Sequence, residues 1–198
     1  MRYLNKIVFI NSAAIRYSEV QLDGNIHLIG TQGVGKSTIL RAILFFYNAD
    51  TQRLGIPVEK KSYQDYYFPY ADSSIIYEVA REDGWFTVLS YKTMNRICYR
   101  FIASPYRPDL FIDEEGAPYP SDRIRSVLDK NGIKYSGAIS TYEEYRNILY
   151  GNSDNKRDYS CYSLMESGSY QNIIRTIQNV LLNSRLEADY IKQTIITS

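Results

Sequence analysis

The residues with the clearest chemical signal lie in a glycine-rich stretch at positions 30–37, which reads G-T-Q-G-V-G-K-S. This stretch matches G-x-x-x-x-G-K-[ST], the pattern of the phosphate-binding loop, or P-loop. Its glycines let the backbone turn tightly and approach a ligand without a Cβ in the way, and the N–H groups of such a loop can enclose an anion. The pattern therefore predicts binding of a nucleoside triphosphate.

Two side chains at the end of the loop would make the specific contacts. Lys36 is expected to reach the β- and γ-phosphate oxygens, and the hydroxyl of Ser37 is expected to coordinate Mg²⁺. A helix that begins at this point adds the positive end of its dipole. The predicted nucleotide-binding residues are Gly30, Thr31, Gln32, Gly33, Val34, Gly35, Lys36, Ser37 and Thr38.

The segments on either side of the loop have the character needed to position it. Residues 26–29 form a short apolar run that is typical of a buried strand. Residues 37–47 predict a helix, because apolar side chains recur there at helical spacing. Strand, glycine loop and helix is the arrangement that the phosphate chemistry requires.

The overall composition bounds the class of protein. The chain of 198 residues suits one domain, or one lobe of a larger assembly, and its net charge of +1 gives no global positive field. Cys98 and Cys161 are too few for a disulfide framework or a zinc site, and His27 as the single histidine argues against Ser-His-Asp or Cys-His catalysis. The scarcity of cysteines fits a reduced, cytoplasmic setting, and no apolar run is long enough to span a bilayer.

The hydrophobic pattern predicts a series of strands around the loop. Strands are predicted at residues 3–10 and 17–22, with a break between them. Residues 48–72 have no clear period and predict a long excursion, with a short helix near Ser62. Further short strands separated by turn residues predict an antiparallel meander at residues 75–79, 85–91, 97–102 and 110–113.

Helices are predicted in the second part of the chain. One starts at Ser121 and stops at Gly132. Another starts at Ser140, where Ser140 and Glu143 fit a capping box, and ends near residue 151. Two more helical patterns, the first of which could equally end as a strand, cover residues 170–182 and 184–196.

The order of these elements resembles the N-terminal half of an SMC-type head, the ABC-class ATPase head shared by SMC, RecF, MukB and the JetC subunit of the Wadjet system. The similarity to these heads lies in two strands before the P-loop, an antiparallel β-lobe after the first helix, and the stretch at residues 140–151. The loop of these heads typically reads G-x-N-G-x-G-K-S, and Gln32 stands here at the Asn position. The resemblance implies an α/β fold, a P-loop NTPase head lobe with a mixed sheet, an antiparallel β-lobe and flanking helices.

The same resemblance implies how the chain is divided. Residues 1–198 would be the N-terminal half of one head. Residues 1–50 would hold the first strands, the P-loop and the first helix. The excursion and the β-lobe would occupy residues 51–120, and a helical part at residues 121–198 would lead toward a coiled coil.

The resemblance also implies ligands and partners. ATP with Mg²⁺ would lie between two heads of a homodimer, and the C-terminal half of the head would supply the signature motif and the Walker B residues. DNA and accessory subunits would be partners of the full-length protein, and a membrane would not. Lys36 would act in catalysis together with a Q-loop glutamine that touches the metal or the attacking water. Gln178 is the candidate for this role, with Gln171 or a plain surface glutamine as the alternatives.

Two other interpretations remain open from the residues alone. Asp113 and Glu114 follow an apolar run, as in a Walker B strand, and could make the chain a self-contained small P-loop kinase or NTPase; the alternative is an edge strand that runs into a turn. The chain could also bind nucleotide only to organise a partner surface, for which the aromatic residues 66–70 are candidates, although core packing is their more ordinary use. On the head interpretation ATP hydrolysis belongs to the full-length protein, the isolated chain is weak or inactive, and the role is DNA maintenance or defence against plasmids and phage.

Overall fold

The structure is a computed structural model that describes residues 2–23, 35–48, 51, 54, 62–94, 96–151 and 159–164. The predicted strand at residues 26–29 and the loop residues 30–34 lie outside these ranges. So do the predicted helices at residues 170–182 and 184–196, together with Gln171 and Gln178.

Five antiparallel strands form a single sheet. They are β1 (Tyr3–Ser12), β2 (Ile15–Gln21), β3 (Ser74–Arg81), β4 (Gly84–Thr93) and β5 (Arg96–Ile102). Their order is β2-β1-β3-β4-β5, because β1 pairs with β2 on one side and with β3 on the other. The strands of the expected β-lobe are thus continuous with the N-terminal hairpin, and the fold is α/β with an antiparallel sheet among the described strands.

Both faces of the sheet are buried, each under its own set of helices. Alternate residues of β1 point to opposite faces, so that Ile7 and Phe9 join one apolar cluster while Val8 and Ile10 join the other. The first face is covered by the helices α1 (Lys36–Asn48), α2 (Tyr63–Tyr67) and α4 (Tyr142–Leu149). The second face is covered by α3 (Ser121–Lys130) and by residues 106–112.

Several predicted elements are confirmed. α1 matches the helix expected after the loop, and β3, β4 and β5 match three strands of the predicted meander. The short helix near Ser62 is α2, whose N-cap Ser62 accepts a hydrogen bond from Asp65 N at 3.2 Å. α3 starts at Ser121 and is followed by Gly132 in the left-handed region, with φ +65°.

Two predictions were wrong in detail. Residues 110–113 do not form a strand, because Pro108–Leu110 is a 3-10 turn and proline disrupts regular strand pairing. The helix expected from Ser140 begins at Tyr142 instead. Its N-cap is Thr141, which accepts from Glu144 N at 3.3 Å, since this neighbouring pair also fits the capping-box spacing.

Candidate functional site

The described part of the glycine loop is its junction with α1. Gly35 has φ +87°, a left-handed conformation that glycine adopts at no steric cost. α1 then begins at once with Lys36, and its first backbone hydrogen bond runs from Ile39 N to Gly35 O at 3.1 Å. Lys36 is half-buried and Ser37 is exposed. The expected phosphate and Mg²⁺ ligands thus lie in the first turn of α1, and the leading N–H groups of a helix have no partner within the helix.

α2 holds this first turn from the side. The Tyr67 hydroxyl donates to the backbone oxygen of Thr38 at 2.8 Å, and the Tyr66 hydroxyl lies 3.4 Å from Thr38 Oγ1. Burial raises the pKa of Tyr67, which keeps its hydroxyl protonated as a donor. α2 therefore fixes the position and the orientation of the helical turn that carries Lys36 and Ser37, the expected phosphate and Mg²⁺ ligands.

Tyrosine hydroxyls also hold the rest of α1. Tyr77 on β3 donates to Ala42 O at 3.0 Å. Tyr145 within α4 and Tyr150 at its C-cap donate to the oxygens of Phe46 and Tyr47, each at 2.6 Å. The last carbonyls of a helix lack partners within the helix, so these two tyrosines satisfy them. Several of the tyrosines thus hold α1 against the neighbouring elements through hydrogen bonds to its backbone oxygens.

A cavity of about 440 Å³ lies at the turn between β1 and β2. Its lining residues are Asn11, Ala13, Ala14, Ile15, Arg16, Tyr70 and Asp72.

The wall of this cavity is the turn between β1 and β2, which has an unusual backbone. Asn11 and Ala13 have φ of 45° and 54°, left-handed values that carry strain for residues with a Cβ. The turn is held by Asn11 Nδ2, which donates to Asp72 at 2.9 Å, and by Ser12 Oγ, which donates to Tyr67 O at 2.8 Å. Through Tyr67, the cavity wall and the first turn of α1 are parts of one hydrogen-bonded assembly.

The Asp113–Glu114 pair is located elsewhere. Asp113 Oδ1 accepts hydrogen bonds from Glu115 N at 3.0 Å and from Ala117 N at 2.7 Å, so its carboxylate closes its own turn. The preceding residues 110–112 pack on the second face of the sheet, whereas α1 packs on the first. This geometry favours the turn interpretation over a Walker B role.

The aromatic cluster at residues 66–70 divides into two kinds of residue. Tyr67 and Phe68 are fully buried, whereas Tyr66 and Tyr70 are 39% and 62% exposed. Sequence reasoning treated the cluster as one surface or as core, and did not connect it with the glycine loop. The pattern of α2 contained no signal for this contact, because a helix of five residues has no measurable period.

Among the described residues, the charged side chains and the potential metal ligands do not form a second candidate functional site. Within the described ranges, no three His, Cys, Asp or Glu side chains are grouped as metal ligands would be. Arg107 pairs with Asp109, and Arg123 stacks on the ring of Tyr119, both away from α1. The helices in the described part of the chain are too short or too polar to cross a bilayer.

Comparison with known proteins gives one match and one negative result. A family model described as "Protein of unknown function (DUF3584)" matches residues 11–198. A search of curated proteins finds no significant match. The matched region includes β2, the glycine loop, all the helices described above and the cavity wall.

Proposed function

The chain belongs to the DUF3584 family, and we propose that it binds Mg-ATP at residues 30–38 as the N-terminal lobe of an SMC-like ATPase head. The observation that carries this proposal is the junction at Gly35. A left-handed glycine is followed directly by a helix that opens with Lys36 and Ser37. The N–H groups at the start of a helix and the helix dipole both favour a bound phosphate.

The contacts around α1 support a rigid phosphate site. The first turn, which carries the expected ligands, is anchored to α2 by Tyr67. A first turn that is held in this way presents its N–H groups in one geometry. Such preorganisation favours binding, because less freedom is lost when the ligand arrives.

We further propose that the neighbouring cavity receives the nucleoside. Its volume of about 440 Å³ is within the range of small-molecule sites. Tyr70 offers a largely exposed ring for stacking and Arg16 offers a charged group. The bond from Ser12 Oγ to Tyr67 O connects the cavity wall to the helix that holds the phosphate site.

Hydrolysis is assigned to a larger assembly in this proposal. Phosphoryl transfer requires a positioned water and stabilisation of the developing charge in addition to the P-loop lysine and Mg²⁺. Among the described residues, the acidic pair at Asp113 and Glu114 lies on the sheet face opposite to α1. We therefore propose that a C-terminal half with signature and Walker B residues, and a second head, complete the site. Gln178 stays the candidate for the Q-loop.

The wider role is proposed from the same resemblance. A homodimer of such heads would engage when ATP binds and separate after hydrolysis. Its action would be on DNA, with accessory subunits, in DNA maintenance or in defence against plasmids and phage. The alternative of a self-contained small kinase or NTPase would need Asp113 or Glu114 to reach the phosphates, and the turn that uses Asp113 does not favour it.

The test is a calorimetric titration of Mg-ATP into the wild-type chain and into Lys36→Ala, with phosphate release followed in the same samples. We expect binding by the wild type, loss of binding in the variant, and negligible release from both. Steady release by the wild type that Glu114→Gln abolishes would favour the self-contained enzyme. Equal binding by wild type and Lys36→Ala would contradict the P-loop assignment.

A further inference from the structure

Tyr66 is placed beside the expected phosphate site by contacts that do not involve a ligand. Its hydroxyl lies 3.4 Å from Thr38 Oγ1, in the first turn of α1. Its side chain is 39% exposed, whereas the neighbouring Tyr67 is fully buried. The two rings meet edge to face, with centroids 5.0 Å apart, so that the buried ring supports the exposed one.

We propose that Tyr66 is a phosphate-contacting residue of the nucleotide site and that Tyr67 is the positioning residue behind it. Thr38 and Tyr66 would together present hydroxyl groups to the phosphate chain of a nucleotide bound at the glycine loop. The inference rests on the proposed Mg-ATP binding and extends it to a residue outside the P-loop pattern.

The distance between Tyr66 and Thr38 is the first argument. A hydroxyl-to-hydroxyl hydrogen bond is normally about 2.5–3.0 Å between oxygens, so the contact of 3.4 Å is loosely made. Hydrogen bonds in binding sites are often long without ligand and tighten when it binds. A phosphate oxygen is a stronger acceptor than a threonine hydroxyl, because it carries charge. The Tyr66 hydroxyl therefore has more to gain from a phosphate than from its present neighbour.

The rigidity of α2 is the second argument. Ser62 caps the helix, Lys92 Nζ lies 3.4 Å from Asp65 Oδ1, and the ring of Tyr63 stacks on Phe45 of α1 with centroids 4.5 Å apart. These contacts join α2 to β4 and to the apolar cluster of the first face. The position of Tyr66 is thus set before any ligand arrives, which is what a binding residue requires.

The difference between the two tyrosines is the third argument. The hydroxyl of Tyr67 already donates to Thr38 O at 2.8 Å and is enclosed by protein, so it can act only through the backbone of α1. Tyr66 has an exposed side chain and a hydroxyl that is both donor and acceptor. Contact with ligand is therefore assigned to Tyr66, and support of the turn is assigned to Tyr67.

The experiment compares Tyr66→Phe with the wild type in the whole 198-residue chain. Binding of Mg-ATP is measured by calorimetry, and binding of Mg²⁺-tripolyphosphate is measured by its competition with ATP. Loss of a hydrogen bond to a charged phosphate should weaken both ligands by about tenfold. The thermal unfolding midpoint without ligand should stay unchanged, because the side chain is 39% exposed and its hydroxyl contact with Thr38 is long, at 3.4 Å.

The control is Tyr145→Phe, which removes a hydroxyl from the other end of α1. This variant should lower the unfolding midpoint and leave both affinities unchanged. An equal loss of affinity in the control would overturn the inference, since the effect would then pass through α1 as a whole. A loss confined to ATP, with tripolyphosphate unaffected, would also overturn it, because the hydroxyl would then contact the nucleoside.

Lys36→Ala separates this inference from the function on which it rests. If Lys36→Ala abolishes Mg-ATP binding and Tyr66→Phe changes nothing, the inference fails and the nucleotide site stands. If Lys36→Ala has no effect, or the wild-type chain does not bind Mg-ATP, both fail together. A tenfold loss in Tyr66→Phe beside an unchanged Tyr145→Phe supports both.

Discussion

Asn5 and Glu78 form a buried pair across the centre of the sheet, with the Asn5 side-chain amide donating to Glu78 Oε1 at 2.7 Å. The second oxygen of Glu78 accepts from Tyr106 N, also at 2.7 Å. Both side chains are less than a tenth exposed. A carboxylate at such a depth is tolerated because its oxygens are hydrogen-bonded, so this pair ties β1, β3 and the segment at Tyr106 into one arrangement.

Replacement of Asn5 by leucine should therefore destabilise the fold. Glu78 would keep the hydrogen bond from Tyr106 N but lose the one from Asn5. One oxygen of a buried charged group would then have no donor, which should lower the free energy of unfolding by about 2–3 kcal/mol. The free energy of unfolding, measured by urea denaturation at pH 7, checks this. Gln21→Leu is the control, because Gln21 is exposed and donates to the amide oxygen of Asn5, not to Glu78; it should have a much smaller effect. Equal losses in the two variants would contradict the importance of the carboxylate.

Gly35→Ala should weaken both folding and Mg-ATP binding. A Cβ at Gly35 meets no atom within 4 Å, so its effect comes from the left-handed φ of +87°, which costs about 1–2 kcal/mol for a residue with a side chain. Gly132 offers a matched control, since it also has a positive φ, +65°, and open space around its Cα. Gly132→Ala should lower the free energy of unfolding by a similar amount and leave Mg-ATP affinity intact. A drop in affinity in both variants would indicate a general loss of folded protein instead of a local effect at the loop.

Asp113 offers a direct test of the self-contained enzyme. Asp113→Asn removes the charge but keeps Oδ1 as an acceptor for Glu115 N and Ala117 N, so the turn and the fold should be retained. Asp113→Ala removes the acceptor and should destabilise the fold by about 1 kcal/mol. We expect neither variant to change Mg-ATP affinity, measured by calorimetry. Loss of Mg-ATP binding or of ATP hydrolysis in Asp113→Asn would instead support Asp113 as a metal ligand of a self-contained enzyme.

The group formed by Lys6, Tyr17 and Glu19 predicts a pH-dependent contribution to stability. Partial burial raises the pKa of Glu19, but hydrogen bonds from Lys6 at 2.7 Å and from Tyr17 at 2.6 Å outweigh it, and the net pKa lies below the ordinary value of 4.5. A carboxyl whose pKa is lowered by folding stabilises the folded state above its unfolded pKa, and this stability is lost as the pH falls through the folded pKa.

Glu19→Gln should therefore be less stable than the wild type at pH 7, and the difference should disappear as the pH is lowered through the folded pKa of Glu19. Because both side chains of the ion pair are partly exposed, we expect only about 0.5–1 kcal/mol at pH 7. Urea denaturation at pH 7 and at pH 3 measures it. A difference that persists at pH 3 would show that the glutamine disturbs packing and that charge is not the cause.

Much of the local structure followed from the sequence. The apolar spacing after Ser37 predicted α1, and Ser62 and Gly132 marked the ends of helices. An apolar run predicted β1, alternation predicted β2, and short runs between turn residues predicted three strands of the meander. These features depend on residues close together in the chain, because capping, turn formation and side-chain periodicity are properties of a few neighbouring dihedral angles. The P-loop pattern is of the same kind, because the nucleotide binding that it predicts depends on eight consecutive residues.

Other features were decided only by the tertiary structure. Pairing of β1 with β3 joins segments separated by the loop, α1 and α2, and no local pattern states which strand will be the partner. The contact of Tyr66 and Tyr67 with Thr38, and the position of Asp113 on the opposite face from α1, depend on that pairing. Periodicity tells which side of an element is buried, but what covers that side is determined by contacts between residues far apart in the chain. The sequence by itself thus determined α1 and the glycine-rich motif that precedes it, and the packing of the sheet determined which side chains surround α1.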